Sequence, residues 1–425
     1  MIMWKQPWGY AEGWAISIGL FITGVILQMT TGKVDATLFR YPLNAIAGGV
    51  FLFFLIMVYA ASRKAAVLQW FYSLTASITS LTAWMVLVII MGLTRQVAPS
   101  ATVTHGGLLS GLGFMQMTVS WPFMLLFLYF LSVLGLVTIR KISCFKWKDV
   151  PFILNHAGLF ITLLAAILGN GDLQRLRMTV SQGEPEWRAT DEAGEMQELP
   201  LAIELKSFTI DEYPPKLLII DNADGKALPE KNPENILVES TPLSGNLLDW
   251  EIEVTDLLPM AACVPGKDTV NFVAFHSEGA TTALYVTARN KASGVEKSGW
   301  VSCGSFMFPY VSLQLNEEVS LVMPEREPKR FASEVLVYTK EKEQAEALIE
   351  VNKPFSMSGW KIYQLSYDET KGKWSCLSIF ELVKDPWLPL VYTGILMMLL
   401  GSVCLFILAP GNKPEQTVVN DAKTV

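Results

Sequence analysis

Histidine is nearly missing from this 425-residue chain, which has three: His105, His156 and His276. No HExxH, GxSxG or phosphate-binding glycine loop occurs, so the familiar zinc, serine and P-loop hydrolases lack their catalytic elements. The five cysteines never form CxxC, which removes the common zinc and thioredoxin-like arrangements. Cys144 lies in a short basic loop, Cys404 in an apolar run, and Cys263, Cys303 and Cys376 are scattered. An oxidising compartment would permit one disulfide among the last three, with the pairing left open. Positive charge is also short: 33 Lys and Arg against 40 Asp and Glu leave a net charge of −7. Without a basic stripe, a nucleic-acid partner is not expected. Met1 to Trp14 carries one lysine and no convincing small-residue cleavage site follows, so the first apolar segment is expected to be retained.

What the chain has instead is hydrophobic residues, 51% of the total, gathered into long blocks. A hydrocarbon core of roughly 30 Å needs about 20 apolar residues per helix, because lipid leaves no backbone polar group a partner. Six blocks meet that test, near 13–31, 44–61, 70–93, 122–139, 151–169 and 387–409. Arg63-Lys64 joins the second and third, and Arg140, Lys141, Lys146 and Lys148 crowd the loop between the fourth and fifth. Both loops are expected to be cytoplasmic, which places both termini inside and residues from about 170 to 385 outside. Arg175 and Arg177 run against that rule, but long translocated domains are largely insensitive to such charges.

Between Gly171 and Asp385 short alternating runs are bounded by turn residues. Leu201–Lys206, Val270–Phe275, Ala283–Ala288, Val311–Leu315, Glu334–Tyr338, Trp360–Tyr367 and Leu377–Val383 read as half-buried strands. The expected architecture is an α-helical polytopic membrane protein of about six transmembrane helices, with a large mostly-β extracytoplasmic domain inserted before the last helix. Its segments are a membrane domain at 1–170, the β-rich domain at 171–385, the last helix at 386–410 and a cytoplasmic tail at 411–425. The β-rich part is read as one sandwich-like or barrel-like unit, with two smaller lobes as the alternative. His276, between Phe275 and Ser277, reads as a surface residue.

Within the six blocks as bounded, His156 is the one residue among Asp, Glu, Lys, Arg and His. A polar group in lipid is costly and usually faces a partner, a cavity or a ligand. The plain alternative is a structural histidine bonded to a neighbouring helix, with Asn155 assisting. His156 lies roughly 8 Å into its helix at 1.5 Å per residue, in the inner half. A neutral imidazole at low dielectric suits an axial ligand of haem iron. A second imidazole at that depth is missing from the chain, so a two-histidine site would draw one from another polypeptide. Met57, Met85 and Met91 could substitute, although core packing is their expected role.

Several stretches carry a family likeness: Glu198-Leu199-Pro200-Leu201 leading to Glu212-Tyr213-Pro214, then Val351-Asn352-Lys353-Pro354, Gly359-Trp360-Lys361-Ile362-Tyr363-Gln364-Leu365-Ser366-Tyr367, and Asp385-Pro386-Trp387 before the last apolar run. In these the chain resembles the ResB family, also called CcsB, of System II cytochrome c biogenesis proteins. The resemblance implies a non-catalytic or co-catalytic subunit of a haem-attachment complex of synthase or lyase type in the bacterial inner membrane. Such a complex exports haem b and supports its covalent attachment, as haem c, to the CxxCH motif of apocytochrome c. It implies a membrane partner of the ResC/CcsA type, which bears the WWD motif this chain lacks, and a haem iron held by His156 with a histidine of that partner. Many relatives have about four spans, fewer than the six counted here. His105 would lie near an outer haem site, though the family's outer ligands belong to the partner, which favours a plain loop residue. Arg175 and Arg177 are candidates for haem propionates, with interfacial anchoring as the alternative. A b-type haem electron-transfer membrane subunit and a cofactor-free membrane scaffold are the rival readings; the former would need two intramembrane histidine pairs.

Overall fold

The computed structural model describes residues 4, 6–35, 39–98, 107–266 and 270–408. The chain divides into two compact units, Met1–Gln174 with Lys384–Val425, and Arg175–Val383.

The first unit is helical: α1 (Tyr10–Thr31), α2 (Leu43–Ser62), α3 (Ala66–Trp70), α4 (Leu74–Leu93), α5 (Leu108–Gly111), α6 (Trp121–Ser143), α7 (Val150–Gly169) and α8 (Leu388–Leu408). Among the described residues six helices are long and apolar enough to cross a membrane, namely all but α3 and α5, as the six apolar blocks predict. Three boundaries differ from the sequence reading, one of them the end of α6, which runs to Ser143 rather than 139. The third block was expected to start at 70, but Ala66–Trp70 is a separate short helix, and α4 begins where the Ser73 hydroxyl accepts from the Ala76 amide at 3.3 Å. The first helix starts at Tyr10, so Glu12 lies inside an apolar helix, as do Arg140 and Lys141 in the last turn of α6. Glu12 is buried and accepts from the amides of Gly9 (2.8 Å) and Trp4 (3.1 Å). The Gly9 amide, at the N-cap, has no intrahelical partner, and the carboxylate satisfies it together with the Trp4 amide that precedes the helix.

Helix α6 is the hub, packing on α1, α2, α4 and α7. Its aromatic face forms a ladder in which Trp84 of α4 stacks on Phe130 at 5.2 Å, with Phe127 and Phe123 beside them. Helices α7 and α8 meet backbone to backbone. A Cβ on Gly158 would lie 2.6 Å from the Gly394 carbonyl oxygen, one on Gly394 would lie 2.6 Å from that of Gly158, and one on Gly401 would lie 2.9 Å from the Asn155 amide. Lipid tails are as apolar as leucine, so such helices gain by close approach of small residues rather than by burying oil. The Ser402 hydroxyl donates to Asn155 Oδ1 across the contact at 3.2 Å.

The second unit is β-rich, as expected, and contains two large cores beside a small cluster of Ala261, Phe272 and Ala283. One is an eight-stranded antiparallel sheet in the order β14–β13–β3–β2–β1–β17–β16–β15, formed by β1 (Gln174–Ser181), β2 (Pro185–Thr190), β3 (Met196–Glu212), β13 (Pro328–Thr339), β14 (Gln344–Glu350), β15 (Phe355–Met357), β16 (Trp360–Tyr367) and β17 (Leu377–Lys384). Its edge strands are consecutive in the chain and touch, so the sheet curls nearly shut around Met178, Ile203, Leu205, Val335, Ile362 and Phe380. The turns that close it explain two of the family-like stretches. Asn352 takes a positive φ of 63° between β14 and β15, and Ser358 (φ 50°) and Gly359 (φ 79°) make the two-residue link to β16, a backbone suited to a tight hairpin. Trp360 follows at once and enters the core, 2% exposed.

The other core lies between a five-stranded and a four-stranded sheet. The first holds β6 (Leu243–Leu247), β7 (Trp250–Pro265), β8 (Val270–Ala274), β9 (Thr281–Asn290) and β10 (Glu296–Ser302); the second holds β4 (Lys216–Asp221), β5 (Ile236–Leu237), β11 (Leu313–Gln314) and β12 (Val319–Val322). Both contribute to one cluster that includes Ile219, Ile252, Leu284 and Leu321. The expected strand at Val311–Leu315 shrinks to Leu313–Gln314, with Val311 bridging Ser302 by itself. Cys263, Cys303 and Cys376 are each unbridged.

Replacing Gly394 with leucine is expected to force α7 and α8 apart. Overpacking typically costs about 1–3 kcal/mol, to be read as a lower melting temperature of the detergent-solubilised protein; an unchanged transition would contradict the close contact.

Candidate functional site: a histidine cavity in the helical unit

His156 sits on the second turn of α7, half-buried. Its Nδ1 is 3.0 Å from the carbonyl oxygen of Phe152, one turn earlier. A carbonyl only accepts, so Nδ1 carries the proton and the lone pair is on Nε2. The Phe152 ring stacks on the imidazole at 3.7 Å and 16°, and the Lys141 ammonium lies 5.3 Å from the Phe152 centroid while pairing with Asp149 at 3.1 Å. Ring orientation and tautomer are therefore both set within one helical turn. The structural alternative assigned the interhelical bond to His156 with help from Asn155; it is Asn155 that reaches α8, and His156 bonds its own helix.

The imidazole borders a cavity of about 290 Å3, walled by Leu81 of α4, Phe130 and Leu134 of α6, and Met398 of α8. Ser77 and Asn155 also border it, and one imidazole lone pair among mostly apolar walls fits an axial ligand for the iron of an apolar macrocycle. No second histidine borders the cavity. Met57 and Met85 are half-exposed on outward faces and Met91 packs in a different cluster. The thioether at the cavity is Met398, which nothing distinguishes from its neighbour Met397 in the sequence of α8.

The other candidates are dispersed. His105 lies outside the described residues. His276 is exposed just after β8 in the second unit. Arg175 and Arg177 lie on β1 with side chains on its exposed face, opposite the buried Leu176 and Met178, and neither forms an ion pair among the described residues. None of these borders the His156 cavity.

A polar knot that the sequence reading missed lies at the opposite end of α7. Asp172 accepts from the Tyr41 amide (2.8 Å) through Oδ1, and from the Asn44 side chain (2.6 Å) and the Trp387 indole (2.7 Å) through Oδ2. Asn44, fully buried, also donates to the Leu168 carbonyl at 2.9 Å. One carboxylate thus ties the start of α2, the end of α7 and the start of α8. Asp385 caps α8 by accepting from the amides of Trp387 and Leu388, which accounts for the Asp385-Pro386-Trp387 stretch. Burial pushes the Asp172 carboxyl up, but the three hydrogen bonds and the nearby Arg40 charge outweigh it and hold it below the usual aspartate range.

Residues 301–379 match the model of the ResB-like family, in agreement with the resemblance read from Val351–Tyr367. The matched stretch is similar to that family and lies wholly in the second unit, running from the end of β10 into β17. No curated protein matches the chain.

A group whose folded pKa is depressed adds stability that is complete above its unfolded pKa and is lost as pH falls through the folded value. The melting temperature is therefore expected to drop as pH falls below about 4, the ordinary aspartate value. Asp172→Leu should lower it at pH 7, since a buried donor left unmet costs about 1–3 kcal/mol, and should flatten the acid dependence. Identical pH profiles for the two proteins would remove Asp172 as the tie.

Proposed function

We propose that this chain is a subunit of a membrane assembly that exports haem and supports its covalent attachment to CxxCH apocytochromes c. In this reading the six apolar helices cross the bacterial inner membrane, the β-rich unit is periplasmic and both termini are cytoplasmic. The observation that carries it is His156: an imidazole with its lone pair on Nε2, beside an apolar cavity, on a helix apolar enough to lie in lipid. The ResB-like match in the second unit supports it independently, since that stretch contains no part of the cavity. Large apolar side chains exposed on the helices, such as Ile22 and Ile26 of α1, Phe53 of α2 and Leu399 of α8, supply a lipid-facing surface.

Haem is here cargo. Its flat apolar body suits the walls of Phe130, Leu134 and Leu81, and its iron the Nε2 lone pair. A cavity of about 290 Å3 lies at the small end for ligand pockets, so a macrocycle would extend beyond it toward a second polypeptide. That polypeptide, a ResC/CcsA-type protein with a WWD motif, would supply the other axial histidine. Met398 is the internal alternative, a thioether at the same cavity. Haem's anionic propionates cannot rest in hydrocarbon without cost. Arg175 and Arg177, exposed and without an ion pair among the described residues, are open to such carboxylates on the outer side. A b-type electron-transfer subunit gains no support, because the cavity holds a single histidine.

Two measurements test this reading. Co-purified with its partner, the protein should show a haem absorption spectrum that His156→Ala weakens or abolishes and that added imidazole restores; a spectrum indifferent to the substitution, with cytochrome c maturation intact, would remove His156 from the mechanism. For sidedness, Cys144 and Cys376 are both exposed. In spheroplasts a membrane-impermeant maleimide should label Cys376 and spare Cys144 until the membrane is lysed; the reverse pattern would invert the topology.

A further inference from the structure

The second unit has a cavity of its own, of about 390 Å3, and most of its lining comes from the stretch that matches the ResB-like family. Four aromatic side chains are among the lining: Phe306, Phe308, Tyr310 and Trp374. Trp374 is fixed there, because its indole donates to the Ala280 carbonyl at 3.1 Å. The polar floor is closed, since the buried Thr281 donates to the Gly304 carbonyl at 2.8 Å and Ser302 to the Thr282 carbonyl at 2.9 Å.

The rim carries three cations, Arg326, Lys371 and Lys373, against the carboxylates of Glu212 and Glu325 and of Glu278 beside the lining, and their pairing is uneven. Arg326 and Lys373 converge on the same oxygen, Glu212 Oε2, at 2.9 and 3.9 Å. A single carboxylate oxygen neutralises one such charge well; the second cation, at the longer distance, has room for another acceptor. Lys371 is held more loosely still. Its ammonium is 3.9 Å from Glu278 and 5.9 Å from the Phe306 centroid, contacts at or beyond the range of a good ion pair and easily exchanged. The remaining acidic residue of the lining, Glu325, is exposed, where water screens it.

We infer that this cleft is a binding site for a carboxylate borne on a planar apolar body, with the ring against Phe306 and Trp374 and the carboxylate taken by Lys371 and Lys373. The aromatic lining alone would accept any flat apolar group, and the cations alone any anion. Their juxtaposition selects molecules that carry both. The inference does not depend on His156. The same chemistry is carried by a free aromatic acid and by the propionate edge of a porphyrin, and these sources are separable.

The test uses the full-length protein in detergent micelles, with saturation-transfer NMR to naphthalene-2-carboxylate and empty micelles as the reference. Saturable transfer is expected, weakened roughly tenfold by Lys371→Met with Lys373→Met, the scale of losing a charge-assisted hydrogen bond. Naphthalene-2-carboxamide should bind as weakly to the unaltered protein as the acid does to that variant. Phe306→Ala, at an exposed position, should weaken the acid without altering the β circular dichroism signal. Competition by protoporphyrin IX, but not by its dimethyl ester, would assign the porphyrin as the source; its absence would assign a free acid. No saturable transfer above empty micelles, equal binding of acid and amide, or binding unchanged in the double variant would each overturn the assignment.

Discussion

The helical unit depends on the contact between α7 and α8, where the absence of side chains at Gly158 and Gly394 lets two backbones touch. Apolar helices in lipid have no water to escape from, so their pairing must come from dispersion and local hydrogen bonds. Both forces are present here. The glycines supply the first, Asn155 with Ser402 the second at one end, and Asp172 with Trp387 the second at the other.

The sequence shows the helical part because lipid and protein interior impose the same demand, a long run without charge, and six such runs are visible without knowledge of how they pack. What it hides are the ends. Glu12 looks external because it is charged, yet a helix N-terminus offers amides that a carboxylate can satisfy, so the helix extends past it. In the β unit, runs with clean alternation, such as Trp360–Tyr367, are legible, whereas β7 is not. It starts well, burying Trp250, Ile252 and Val254 between exposed neighbours, but register shifts after Val254 and after Leu258 break the period. One unit or two smaller lobes stayed open, since alternation says that a strand has an inside and not which inside it shares. At the candidate site His156 stands out by its rarity in an apolar run. Asp172 does not, because an acid just beyond such a run looks like ordinary solvated polarity until the indole and amides that close on it are seen.

Three of the family-like stretches prove to be instructions for folding. Val351–Pro354 and Ser358–Trp360 build the turns that let an eight-stranded sheet curl onto itself, and Asp385–Trp387 starts and anchors the last helix. Open sheet edges invite pairing with other chains, and bringing β14 against β15 removes most of that exposure. Residues with such duties specify a scaffold, and chemistry must be sought elsewhere on it.

That search returns to the imidazole. A histidine anchored by a neighbouring helix would be part of the packing, and removing a ligand from it would disturb the bundle. His156 takes its hydrogen bond and its stacking partner from its own helix, so its orientation survives whether or not anything occupies Nε2. For a group that must be taken up and passed on, this arrangement has an advantage over a deep cage. The ligand atom is aimed in advance, little conformational entropy is spent on binding, and release leaves no collapsed site to be rebuilt. The cavity beside it is lined by that imidazole, the Met398 thioether, Ser77, Asn155 and otherwise apolar side chains; in the proposed reading a haem iron would be held here from one side and left open on the other to whatever receives it next.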